Sequence, residues 1–573
     1  MATLLSFVPL LIMIAIVVAI VRKVSKRSTV LSSTAQPVRL FFQYGLIFGL
    51  FIIVTVGLAG LLSRILDSST IVIADQSALA SNLAFVVVGG PLLAGITIWL
   101  KKSLRENPAD GHGFIPTFFA TLAAIVSLLI FLSSLIAAIH NLINGDVVLG
   151  FSLGRAIVWG TAWVVVIKVS NSVIPRNDFR IQYFIGSFIT ALAALIGLVQ
   201  VLTGVLALIL SQPFFFGTQQ MALVSPANPA RVGLGTLAVS GAAWFYYWIR
   251  NANLIKTDNL WFGYVLIAGV GATLVVAISS LSVSLYRILV WLIGEPSSQK
   301  IAEHFSSTPQ SGATACAGLL FWWYHKSLLP IEPERSDVQR TYEYIVAAIS
   351  LIAGAVGISI VIVALIEALT AQTKLTGPGA INTLIGAATV IAVAGPVWWR
   401  FWNRIQKIAK ESPESEHGSP IRRIYLFLLF GAGGVVAIIS LITIVIQLFN
   451  GILSSNLGAS TLNDVRFAIG ILVSTGIVAA YHWEIYRHEK DVDVTFASTP
   501  MKVLLVGPEN TELILDLQSA TGAKVSFLQR ADANELSWPT EHVIELVAQS
   551  NDRDLLILLE ATGVKVVPLV KRN

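Results

Sequence analysis

Very few side chains in this sequence are of a kind to do chemistry inside an apolar helix. Glu367 lies in the run Val363-Ala-Leu-Ile-Glu367-Ala-Leu369, and a carboxylate among aliphatic residues is what an ion or proton pathway through a membrane requires. A copy of the same helix 83 positions on carries Asn450 there, so the plainer reading is a helix-end residue near the headgroups. Arg155, Arg231 and Arg466 each stand near the outer start of the second helix of a hairpin, where a guanidinium reaches lipid phosphate or faces a shared central cavity. His325 and His482 follow tyrosines near span ends, as His140 lies near another. None has HExxH or comparable ligand spacing, so interfacial hydrogen bonding is expected of them, and neither metal nor cofactor. The single cysteine, Cys316, excludes an internal disulfide and a thiolate cluster. With no nucleophile elbow, paired metal carboxylates or intramembrane protease dyad, the expectation is a protein that is not an enzyme.

The elements that carry these residues follow from composition. Of 573 residues, 55% are hydrophobic and 12% charged, where a soluble chain has roughly a quarter charged. Runs of about twenty apolar residues recur along the chain, the length a helix needs to cross a hydrocarbon layer. The first, Ala2 to Val21, has its charges on the wrong side for a secretory signal and reads as a retained span. Further helices are expected near 41–66, 82–101, 114–140, 151–172, 181–211, 231–250, 260–293, 311–329, 343–370, 379–402, 422–450 and 464–487. The fold class is thus an all-α polytopic membrane protein of about thirteen transmembrane helices, one plus six repeated hairpins, with a small C-terminal cytosolic α/β or α+β domain.

Basic residues gather in alternate loops, among them Arg22 to Arg39, Lys101 to Arg105, Lys326 to Arg340 and Arg400 to Arg423, with only scattered examples such as Arg64, Lys300 and Lys374 opposite. The positive-inside rule then puts the N-terminus outside and the C-terminus in the cytosol of a cell (plasma) membrane. From Asp491 onward the chain has 12 acidic and 7 basic residues, leaving 31 basic and 20 acidic before it. Positive charge confined to short loops beside apolar spans argues against nucleic acid and for the lipid bilayer as partner. It also suggests that the acidic tail docks on the loops around Arg400 to Lys410, Arg422 and Arg423.

The hairpins repeat. Five leave the membrane through an aromatic-then-basic exit, at Trp99, Trp248, Trp323, Trp402 and Trp483, and such aromatics are expected in the headgroup layer. The starts Arg340-Thr-Tyr342-Glu-Tyr344 and Arg423-Ile-Tyr425-Leu-Phe427 lie 83 positions apart, and Tyr324-His325 is echoed by Tyr481-His482. An even number of spans per copy makes the copies parallel rather than inverted. These Arg-x-Tyr starts and Tyr-His exits, clearest in 422–487, resemble a prokaryotic multi-pass membrane domain of unknown function whose unit is four helices. The resemblance implies three such units, 39–172, 176–329 and 336–490, after an N-terminal helix and basic loop (1–38) and before the tail (498–573). It implies architecture and no activity.

In the tail, Val503 to Val506, Lys524 to Leu528 and Val564 to Leu569 read as strands, Thr511 to Ala520 and Thr540 to Ser550 as helices, and Leu555 to Glu560 as either. A strand, a glycine turn and a helix raise a phosphate site. One glycine beside Glu509, with neither GxGxxG nor GxxxxGK[ST], leaves a packing and docking module as the expectation. In the spans, Gly90-Pro91 and Gly395-Pro396 suggest kinks, Gly431 to Gly434 close helix contact, and Ser350, Ser359 and Thr383 short polar stretches. The functional expectation is a membrane scaffold or sensor with a cytosolic docking domain; the alternative is a transporter or conduit for a small uncharged or lipid-like substrate.

Overall fold

The computed structural model describes residues 35–66, 76–107, 111, 113–145, 149–174, 180–210, 227–254, 259–330, 335–370, 379–417, 419–490, 502–508, 510–521, 523–529, 537–550, 554–560 and 563–569. The expected first span, 2–21, lies outside them. Twelve long helices follow: α1 Ala35–Leu66, α2 Gln76–Glu106, α3 Phe114–Asn144, α4 Leu149–Val173, α5 Arg180–Leu210, α6 Ala227–Trp244, α7 Asn259–Ile293, α8 Thr308–Ser327, α9 Asp337–Thr370, α10 Ala380–Glu411, α11 Pro420–Leu453 and α12 Arg466–Lys490. Among the described residues eleven helices are long and apolar enough to cross a membrane; α8, with its Gly, Gln, Thr and His content, is the long helix outside that set. Pro91 and Pro396 sit inside α2 and α10, which run through them without a break.

The chain forms two compact units, residues 1–398 with 458–470, and 399–457 with 471–573. In the first, α1 to α4 pack on one another and α5 to α8 do likewise, with α6 also touching α3. Glycines set the closest approach: a Cβ at Gly197 would meet the Leu237 backbone nitrogen at 2.6 Å, and one at Gly204 the Ala230 nitrogen at 2.6 Å. Small residues let helix backbones approach in this way where apolar association supplies no drive. The Gly431 to Gly434 stretch of the second unit does not serve so, since Gly431 and Gly434 face open space and Gly433 alone meets α12, at Ala479. Two π-helical segments interrupt the first unit, Phe245–Ile249 after α6 and Tyr264–Ala272 inside α7.

The helices turn apolar side chains outward and polar ones inward. Val87 is 66% and Leu453 82% exposed, while Gln182, Thr190, Ser240 and Ser350 are wholly buried. The buried hydroxyls spend themselves on their own helices, as Ser240 on Thr236 O at 2.6 Å and Ser350 on Val346 O at 2.8 Å. This is the reverse of a water-facing helix, whose apolar stripe points inward.

The tail, in the second unit, is an α/β domain: β1 Lys502–Gly507, α13 Thr511–Thr521, β2 Lys524–Gln529, α14 Thr540–Gln549, β3 Asp554–Glu560 and β4 Gly563–Pro568. The sheet order is β2-β1-β3-β4, with β1 parallel to β2 and β3, and β4 antiparallel to β3. Strand alternation puts Val503, Leu505, Leu555 and Ile557 on one face, where they meet Leu513 and Leu517 of α13 and Val543 and Val547 of α14 in one core.

Candidate functional site

Three helices distant in sequence enclose the largest described cavity, a cleft of about 580 Å³ in the first unit. Ser279, Ser282 and Tyr286 lie on one face of α7, Ile349, Ala353, Val356 and Ile360 on one face of α9, and Gly386, Thr389 and Val390 on α10. Its walls are nearly all apolar. Among the described residues the buried Ser282 hydroxyl has no hydrogen-bond partner.

Tyr286 also lines a second recess of about 410 Å³, so the two cavities meet at its ring. Here the lining is polar: Arg287, Glu295, Ser297, His304 and Asn382. Asn382, buried on α10, clasps the backbone of Glu295 from both sides, accepting from Glu295 N–H at 2.9 Å and donating to Glu295 O at 2.7 Å. His304 is buried with both ring nitrogens engaged, Nε2 with Arg287 O at 3.0 Å and Nδ1 with Ser297 Oγ at 3.3 Å. A backbone carbonyl only accepts, so Nε2 carries the proton. Arg287 Nη1 lies 3.4 Å from His304 O. Among the described residues neither the Arg287 guanidinium nor the Glu295 carboxylate has an ion-pair partner.

Of the residues singled out in sequence, the fold brings two together. Arg466 donates from Nε to Glu367 Oε1 at 3.1 Å, and Thr383 donates to Oε2 at 3.0 Å. Ser359 lies under Gly470, so the polar positions expected to line a path are spent on packing and local bonds. Arg155 stacks near Phe151, 5.5 Å from its ring centre, and Arg231 is exposed on α6; nothing unites them with Arg466.

His325 and His482 are not interfacial. Both are buried, with Nδ1 2.8 Å from the carbonyl of the residue four back, Phe321 and Val478. Around His325 stand Trp248, Tyr264 and Tyr324, and around His482 stand Trp402, Tyr425 and Tyr481. In each set the indole donates to the tyrosine before the histidine, Trp248 to Tyr324 at 2.9 Å and Trp402 to Tyr481 at 2.8 Å. Trp163 repeats the bond to Tyr247 at 2.6 Å, where Trp248 replaces the histidine. Trp99, Trp323 and Trp483 are exposed as expected of headgroup anchors, whereas Trp248 and Trp402 are buried clasps.

In the tail, the rim where open α/β sheets take ligands, outside the carboxyl ends of β1 and β3, is filled. Trp538 packs on Gly507, where a Cβ would meet its ring at 2.6 Å, and donates to Pro508 O at 2.7 Å. Asn510 accepts from Leu513 N–H at 3.0 Å, capping α13 with the chain's own oxygen.

The four-helix groups α1 to α4 and α9 to α12 have a counterpart among known families. Residues 40–169 and 340–477 each match DUF5671, a domain of unknown function. The second DUF5671 segment contains Glu367, Thr383, Arg466 and the α9 and α10 walls of the cleft; the first contains Arg155. The α7 wall, the polar recess up to His304, Arg231 and His325 lie between the segments. No curated protein and no solved structure matches the chain.

The recess was not foreseen in sequence. Tyr286, Arg287, Glu295 and Asn382 carry no motif, and α7 and α10 meet only in the fold. The one legible signal was the pair of charges flanking the end of an apolar run, Arg287 before it and Glu295 after it.

Proposed function

We propose that this chain is an integral membrane protein that binds a lipid-like amphiphile in the cleft of α7, α9 and α10, holding it as a scaffold or sensor does. The observation that carries the reading is the junction at Tyr286 of an apolar cleft of about 580 Å³ with a polar recess of about 410 Å³. Both volumes lie in the range of small-molecule sites. An apolar chamber with a polar mouth matches a molecule with a tail and a head. The eleven apolar helices and their outward aliphatic side chains support the bilayer as the surroundings. Basic loops on alternate sides support a cytosolic tail domain.

An ion-coupled carrier is the less supported reading. Such a carrier needs groups that bind the coupling ion in mid-membrane. Glu367, the one carboxylate noted there in sequence, has both oxygens engaged by Arg466 and Thr383. The proposal assigns the protein no reaction.

The test is photolabelling in lipid nanodiscs with a phospholipid bearing a diazirine on its acyl chain. Label is expected on α7, α9 and α10 facing the cleft, and Ala353→Trp, which fills it, is expected to remove that label. Labelling spread evenly over outward faces, or unchanged by Ala353→Trp, would overturn the reading. Accelerated transbilayer movement of the labelled lipid in proteoliposomes would make the cleft a conduit.

A further inference from the structure

An acyl chain gains little by leaving the bilayer for an apolar cleft, because lipid tails are as apolar as the leucines and isoleucines that line it. Selection among lipids therefore falls to the recess. Its two charged groups are of opposite sign and stand unmatched: Arg287 on α7 and Glu295 in the segment after it line one cavity, and neither has an ion-pair partner among the described residues. Each is held on its own support. The His304 carbonyl lies beside Arg287, and the Asn382 clasp fixes the Glu295 backbone to α10.

Resting on the reading of the cleft as an amphiphile site, we propose that the recess takes a phosphoethanolamine headgroup, its phosphate on Arg287 and its ammonium on Glu295. The order of groups along the cavity matches the order along such a lipid. Tyr286 joins the cleft to the recess with Arg287 next to it, and Glu295 is exposed at the rim. Tail, phosphate and amine follow in that sequence. A guanidinium suits phosphate by geometry and by fixed charge. A primary ammonium brings N–H donors that a carboxylate accepts, whereas a quaternary ammonium calls for an aromatic cage. Tyr286 is the one aromatic residue in the recess lining, which favours the primary amine.

The full chain in nanodiscs would be tested by competition of phosphatidylethanolamine, phosphatidylcholine and phosphatidylglycerol against the diazirine lipid. Phosphatidylethanolamine is expected to compete ~10-fold better than the other two, the worth of one charge-assisted hydrogen bond. Glu295→Gln, at an exposed position, is expected to leave the melting temperature unchanged and erase the preference over phosphatidylglycerol. Arg287→Gln is expected to weaken all three phospholipids together. Equal competition by phosphatidylcholine, or a preference that survives Glu295→Gln, would overturn the headgroup assignment. If Ala353→Trp still abolishes cleft labelling in that case, the amphiphile reading stands and only the headgroup falls. If Ala353→Trp changes nothing, both fall.

Discussion

Arg466 and Glu367, 99 positions apart in sequence, form an ion pair with Nε to Oε1 at 3.1 Å, and only 17% and 7% of their side chains are exposed. Removing one member of a buried pair leaves the other charge uncompensated, at a cost of about 3 to 5 kcal/mol. Glu367→Gln is therefore expected to lower thermal stability in detergent while leaving cleft labelling intact. A double change, Glu367→Leu with Arg466→Met, is expected to recover most of the loss, because apolar replacement of a buried pair is often neutral. Loss of labelling in a folded Glu367→Gln protein would place the carboxylate in the binding machinery instead.

The aromatic clasps make a second prediction. Tyr481→Phe deprives the buried Trp402 indole of its acceptor, and an unsatisfied buried donor costs about 1 to 3 kcal/mol. Tyr324→Phe is expected to do the same through Trp248. A Trp402→Phe, Tyr481→Phe double variant is expected to be less destabilised than the sum of its single changes, measured as a double-mutant cycle by thermal unfolding. Strict additivity would mean that the bond contributes nothing.

Topology is predicted from the alternation of basic loops. Reporter fusions after Lys102, Arg404 and Asn573 are expected to report cytosol, and fusions near Ser68 and Gly377 the outside. A C-terminal reporter active outside would reverse the assignment.

In the tail, Trp538→Ala empties the space over Gly507 and removes the bond to Pro508. Truncation of a buried tryptophan costs about 3 to 5 kcal/mol, a large share of the ~5 to 15 kcal/mol that holds a domain. Limited proteolysis of the full chain is expected to remove the tail of this variant well before that of the parent, with the helices left intact. Equal resistance of the two tails would show that Trp538 adds little to the domain.

The long helices and the tail strands were legible because their signals are local. Twenty apolar residues in a row, or Val503 to Val506 before a glycine turn, state their conformation without reference to the rest of the chain. The pairing of Glu367 with Arg466 was not legible, although each was noted singly, since nothing in sequence spacing says which helices touch. The exits misled for a chemical reason. Trp248 and Trp402 carry the same signature as Trp99 and Trp323, and an indole with one donor and a large apolar body suits a headgroup layer and a buried hydrogen bond equally. Charge after the tryptophan marks where a helix leaves the apolar zone, not which way the ring turns.

The π segment Tyr264–Ala272 within α7 has a consequence for what the gene tolerates. A wider turn holds extra chain in the same length of helix, and each residue of an α-helix advances the side chains by about 100°. Deleting one residue between Tyr264 and Ala272, and so restoring plain α-helix, would rotate the following stretch by that angle and carry Ser279, Ser282 and Tyr286 off the cleft together. A deletion that leaves hydropathy untouched would thus unmake a site more than one turn away. The length of that segment, more than its side chains, is where this helix has the least room to vary.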